Sequence, residues 1–142
     1  MKKCLLLTQI VFVSLLFSCK KESTPPTPTM LELLTSSAWK VTGYTSTAKD
    51  TATLSLLKDW NDDLKTNTLF VTYKTNGTYL YSDSSELGTW EISGTSSIIF
   101  EKGTPDQLSA SLDNLTANNF VITYPWEVNT KVTSNITETA VK

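Results

Sequence analysis

Apolar and polar residues change period twice along this chain. From Ala38 to Thr45, "AWKVTGYT", they alternate, with Trp39, Val41 and Gly43 on one face and Lys40, Thr42 and Tyr44 on the other, as in a half-buried strand. From Lys49 to Thr66 the spacing lengthens, and Leu54, Leu57, Trp60 and Leu64 recur every three or four residues, which predicts an amphipathic helix. Period two then returns. Strands are predicted at Leu69–Lys74, Thr78–Ser82, Leu87–Ser93, Ser97–Glu101, Gln107–Asp113 and Asn119–Trp126, followed by an alternating tail in which Val128, Val132, Ile136 and Ala140 share a face. Asn76-Gly77 predicts a hairpin between the second and third strands, because both residues tolerate positive φ. Ahead of the first strand, Thr29 and Glu32 have capping-box spacing and Leu31 and Leu34 lie on one helical face, so one short helix is expected there.

Eight strands joined mostly by short connections predict an all-β domain, either a closed antiparallel up-and-down barrel or a sandwich. Eight strands closed into a barrel leave an interior that side chains fill or that holds one small ligand. Gly88, Trp90 and Ile92 should face inward, with Thr89 and Glu91 outward. Tyr79 and Tyr81 share a face, and Phe120, Ile122, Tyr124 and Trp126 form a second row. Such rows build cores more often than pockets, yet aromatic walls with a few hydroxyls are also what ligand sites use.

Composition narrows the chemistry. The 142 residues include no His and no Arg, so Ser-His-Asp triads, Cys-His pairs, His-ligated zinc and Arg clamps are excluded. Paired carboxylates remain, but Asp62-Asp63 falls on the predicted helix, where a solvated face explains it, and Glu91 and Glu127 should point outward. Asp59, Asn61 and Asp63 copy the start of a calcium loop, but Leu64 stands where the turn needs Gly, and Phe70 where it needs Glu. The expectation is a protein that is not an enzyme and has no cofactor and no metal. Without clustered basic residues, nucleic acid is not an expected partner.

The N-terminus reads as an export signal over residues 1–18: Lys2 and Lys3, an apolar run from Leu5 to Phe17, then Ser18 before Cys19. The run is shorter than the roughly 20 residues a membrane-spanning helix needs. Cleavage before Cys19 would leave ten Lys against fourteen acidic residues. Cys4 would be lost with the signal, so the exported domain could form no internal disulfide and must rely on an apolar core. Residues 19–29, rich in Pro and Thr, cannot bury a core and should form a spacer reaching roughly 30 Å.

Leu16-Phe17-Ser18-Cys19 resembles the bacterial lipoprotein processing motif. The resemblance implies that the Cys19 sulfur takes a diacylglycerol and its freed amine a further acyl chain, which together hold a protein on a bilayer where one chain would not. Cys19 is therefore the expected lipid-attachment residue and the membrane an expected partner. The expected location is the cell envelope, at the outer membrane.

A second resemblance covers residues 30–142. Tyr73, Asn76-Gly77-Thr78-Tyr79, Gly88-Thr89-Trp90 and Ile92, together with Trp39 after a Leu-rich turn, are similar to the lipocalin-like domains of small bacterial lipoproteins of the Bacteroidetes type. The family implies an eight-stranded up-and-down barrel, here with a short N-terminal helix and a helical insertion between strands 1 and 2. It also implies an interior able to take a small apolar or amphipathic molecule. Candidate ligand-lining residues are Trp39, Tyr79, Tyr81, Trp90, Phe120, Tyr124 and Trp126. The competing expectation is a structural or protein-interaction module of the envelope, using the outward Asn129, Lys131, Thr133, Asn135 and Thr137.

Overall fold

A computed structural model describes residues 26–129 and 132–142, the side chain of 132 excepted. The predicted signal segment, Cys19 and the tether up to residue 25 lie outside the described residues.

The chain forms a closed antiparallel barrel of eight strands in sequence order, with β1 (Trp39–Thr45) meeting β8 (Val132–Val141) to close it. Between them run β2 (Phe70–Tyr73), β3 (Thr78–Tyr81), β4 (Gly88–Ser93), β5 (Ser97–Phe100), β6 (Leu108–Leu115) and β7 (Asn119–Asn129). Closure leaves no free sheet edge, and every strand pairs with two neighbours.

Helix α1 (Met30–Thr35) starts with the capping box that Thr29 and Glu32 predict. Glu32 N–H donates to Thr29 Oγ1 at 3.2 Å, and Thr29 N–H donates back to Glu32 Oε2 at 2.7 Å. Of its two expected apolar contacts only Leu34 is buried, Leu31 being exposed. The helix closes one end of the barrel, and Trp39 Nε1 donates to the Leu34 carbonyl at 2.9 Å. Above this floor the interior is packed with Trp39, Val71, Tyr73, Ile98, Phe120, Ile122, Ile136 and the small Ala110 and Ala140, all nearly free of solvent contact. Phe120 carries two of these contacts, with ring centroids 5.5 Å from Trp39 and 5.6 Å from Tyr73.

Gly88 explains the Gly-x-Trp pattern. A Cβ there would fall 2.2 Å from the Tyr79 ring and 2.6 Å from a Glu101 carboxylate oxygen, so only Gly lets the neighbouring tyrosine lie across β4. Trp90, two residues on, faces inward and donates Nε1–H to the Thr78 carbonyl at 2.9 Å.

Four details differ from the sequence-based expectation. In β1 the register against β8 shifts between Val41 and Gly43, so the alternation breaks and Tyr44, expected outside, turns in. In the β2–β3 hairpin only Gly77 takes positive φ, at 81°; Lys74 brackets a three-residue loop, accepting from Gly77 N–H and donating to the Thr78 carbonyl. This is a turn followed by a glycine bulge, with the Asn76 side chain accepting from Thr78 N–H. The tail splits, so that Val128 belongs to β7 while Ile136 and Ala140 face inward on β8.

The fourth difference is the buried face of α2 (Thr51–Thr66), the helix between β1 and β2. Leu54 is about half exposed, and the face against the barrel consists of Thr53, Leu57, Trp60, Asn61 and Leu64. Thr53 takes the place expected of Leu54 because its hydroxyl is fully used inside: it donates to Asp50 Oδ2 at 2.8 Å and shares a 2.7 Å hydrogen bond with Ser134. Asp50 also caps the helix, accepting from Thr53 N–H at 2.8 Å.

Candidate functional site: the open end of the barrel

Opposite the floor, the strands splay under α2 and leave a cavity of about 440 Å³. Its walls are Tyr44, Tyr81, Tyr124, Trp60, Trp126, Leu64 and Leu69; Asp59, Asp63, Asp83 and Ser84 stand around it, and Glu138 also lines it. Each position follows from local structure. Tyr81 ends β3, Tyr124 and Trp126 keep the inward parity of β7, and the β1 bulge brings in Tyr44. Trp60 comes from α2, packing edge-on against Tyr44 at 5.0 Å and Trp126 at 5.5 Å.

Helix α2 is fixed over this end at two points. At its start Thr53 is bonded to Ser134 of β8. Farther along, Asn61 pairs with the backbone of β1 as a strand would, its Oδ1 accepting from Tyr44 N–H at 2.9 Å and its Nδ2 donating to the Tyr44 carbonyl at 2.8 Å. That pairing sits at the bulge, where the backbone groups of Tyr44 are turned toward the helix.

Of the seven aromatic candidates, the structure places Tyr81, Tyr124 and Trp126 on the cavity. Trp39 and Phe120 lie fully buried in the packed interior next to the floor. Trp90 packs edge-on against Tyr73 at 5.3 Å, and Tyr79 rests on Tyr73 and Phe100, so both belong to the packed interior below. Strand parity gave the inward direction of all seven but not their depth along the barrel axis. Helical spacing puts Trp60 on a helix face and strand alternation puts Tyr44 outside, and both are wall residues.

Hydrophobic patterning does not mark Glu138, although it shares inward parity with Ile136 and Ala140 on β8. It is 1% exposed. Tyr81 Oη and Tyr124 Oη donate to its Oε2 at 3.2 and 3.4 Å, while Oε1 has no partner among the described residues. Burial raises its pKa to about 7, against the lowering effect of the two hydroxyls. Burial and the nearby Glu138 in turn push Tyr44, Tyr81 and Tyr124 upward, so these phenols stay neutral. Tyr73 Oη is a second buried polar atom without a partner among the described residues.

The other carboxylates do simpler work. Asp62 sits on the outer face of α2, held at about 2 by hydrogen bonds from Lys58 and Lys65. Glu91 faces outward and pairs with Lys102, and Glu127 is exposed. Asp59, Asn61 and Asp63 lie on a continuous helix, and Asn61 is committed to β1. No group of three metal-ligating side chains occurs among the described residues. On the outer face of β8, Thr133 and Asn135 are exposed and Thr137 shares a hydrogen bond with Thr123, while Lys131 lies outside the described residues. The chain matches no known protein family, and no curated protein is significantly similar to it.

Proposed function

We propose that this chain is a non-catalytic binding protein of the lipocalin-like kind, anchored to a membrane through Cys19 and holding a small apolar or amphipathic molecule under α2. The observation that carries the reading is the cavity: about 440 Å³, walled by five aromatic rings, at one end of a barrel whose other end is packed solid. Pockets of this size and character are ordinary small-molecule sites. Titration with the neutral dye N-phenyl-1-naphthylamine should give saturable one-to-one binding that quenches tryptophan fluorescence from Trp60 and Trp126. Leu64→Trp, which fills the mouth, should weaken that binding by about tenfold or more. Dye uptake unaffected by Leu64→Trp would place binding elsewhere and remove the reading.

The anchor rests on the Leu16–Cys19 motif and on the exposed chain of residues 26–29 that leads into α1. Two acyl chains hold a protein on a bilayer stably, and none are attached without the thiol. Cys19→Ser should therefore move the protein from the membrane to the soluble fraction while leaving its thermal unfolding unchanged. A Ser variant that still sediments with membranes would refute the anchor.

A further inference from the structure

A pocket built only for an apolar molecule has no use for a buried acid, and this one ends on Glu138. The residue is 1% exposed, and one of its carboxyl oxygens has no hydrogen-bond donor among the described residues. Leaving such an oxygen unpaired costs about 1–3 kcal/mol, and a ligand that brings a donor to it recovers that cost. The surrounding charge selects which donor. Asp59, Asp63 and Asp83 also line the cavity, and none of its lining residues is basic. A carboxylate or phosphate ligand would bring its charge among four acidic groups. The rings of Tyr44, Trp60, Tyr81, Tyr124 and Trp126 wall the cavity, and a cation is stabilised over an aromatic face where an anion is not.

We infer that the molecule held under α2 is an organic cation, an ammonium group on a compact apolar body, with Glu138 as its buried counter-charge and the aromatic walls around it. The inference rests on the binding reading above and specifies its ligand. Ion pairing converts Glu138 fully to carboxylate, so the cation displaces a proton where the empty site holds one. The groups facing Glu138 are Tyr44 from β1, Tyr73 from β2, Tyr79 and Tyr81 from β3 and Tyr124 from β7, with Asp59 and Asp63 from α2 and Asp83 from the loop after β3. Burial keeps the five phenols neutral.

Three probes with one body and different heads test the inference by calorimetry on the purified chain: 2-phenylethylamine, 2-phenylethanol and 3-phenylpropanoate. The amine should bind about tenfold or more tighter than the alcohol, the carboxylate should not bind, and the amine's advantage should grow from about pH 5.5 to about pH 8.5. Glu138→Gln should reduce amine affinity to that of the alcohol and remove the pH dependence while alcohol binding persists. Trp126→Leu, at a partly exposed position that tolerates change, should weaken the amine more than the alcohol. Alcohol binding as tight as amine binding, carboxylate binding, or an amine preference that survives Glu138→Gln overturns the cation while leaving a binding protein. Failure of all three probes together with the naphthylamine dye removes both.

Discussion

Trp39→Ala is expected to lower the free energy of unfolding by about 3–5 kcal/mol, measured by urea denaturation followed by circular dichroism. The indole lies at the closed end with no solvent contact, its ring 5.5 Å from Phe120 and covered on one side by the Lys142 ammonium at 4.5 Å. Truncation removes that packing and also strands the Leu34 carbonyl, which loses the 2.9 Å hydrogen bond tying α1 to the barrel. Small domains have about 5–15 kcal/mol to lose, so the variant should sit close to its unfolding threshold at ambient temperature. Trp39→Phe separates the two contributions, since it keeps most of the packing and removes only the donor. It should cost about 1–2 kcal/mol. An Ala variant destabilised by less than about 1 kcal/mol would mean that the floor is not packed as described.

The second large effect is stabilisation. Glu138→Gln should raise the stability of the empty protein at about pH 8 by about 1–3 kcal/mol and leave it nearly unchanged at about pH 5. In the folded protein burial holds the Glu138 proton to about pH 7, while an unfolded chain releases it near the ordinary glutamate value of 4.5. Between those values the folded state binds more protons than the unfolded state, so stability falls as pH rises through the window. Above it the loss is complete, at about 3 kcal/mol for this group. Glutamine cannot ionise, accepts from the same two tyrosine hydroxyls, and removes the slope. Urea midpoints measured at several pH values check this, and a wild-type stability flat or rising between about pH 5 and about pH 8 would contradict it. If the cation occupies the site, saturating 2-phenylethylamine should flatten the wild-type slope from the other side, by supplying the counter-charge.

Much of the architecture is legible in the sequence because it depends on period. The eight strands, the helix between the first two, and the Thr29 capping box all follow from alternation, from three- to four-residue spacing, and from side chains that act within a few positions of themselves. What period does not carry is a break in phase. The bulge after Val41 turns Tyr44 inward through a register shift against β8, a partner nearly a hundred residues away, and no local signal marks it. Depth is equally hidden: Trp39, Trp90 and Tyr79 point inward as expected, yet height along the barrel axis decides whether an inward residue packs or lines a cavity. Glu138 was within reach, since counting back from Ala140 and Ile136 puts a carboxyl on the inner face. Hydrophobic patterning passes over it because an acid there breaks the rule that patterning relies on, and such breaks belong to functional sites.

Helix α1 closes the end of the barrel opposite the cavity, and residues 26–29 enter the barrel at that end. If Cys19 carries the anchor proposed above, the floor is the tethered end and the mouth is free to open to the aqueous space. Cargo would then be exchanged through water and not by lateral diffusion out of the lipid, which favours molecules with appreciable aqueous solubility. A charged head on a small apolar body has that property, and a long-chain lipid does not.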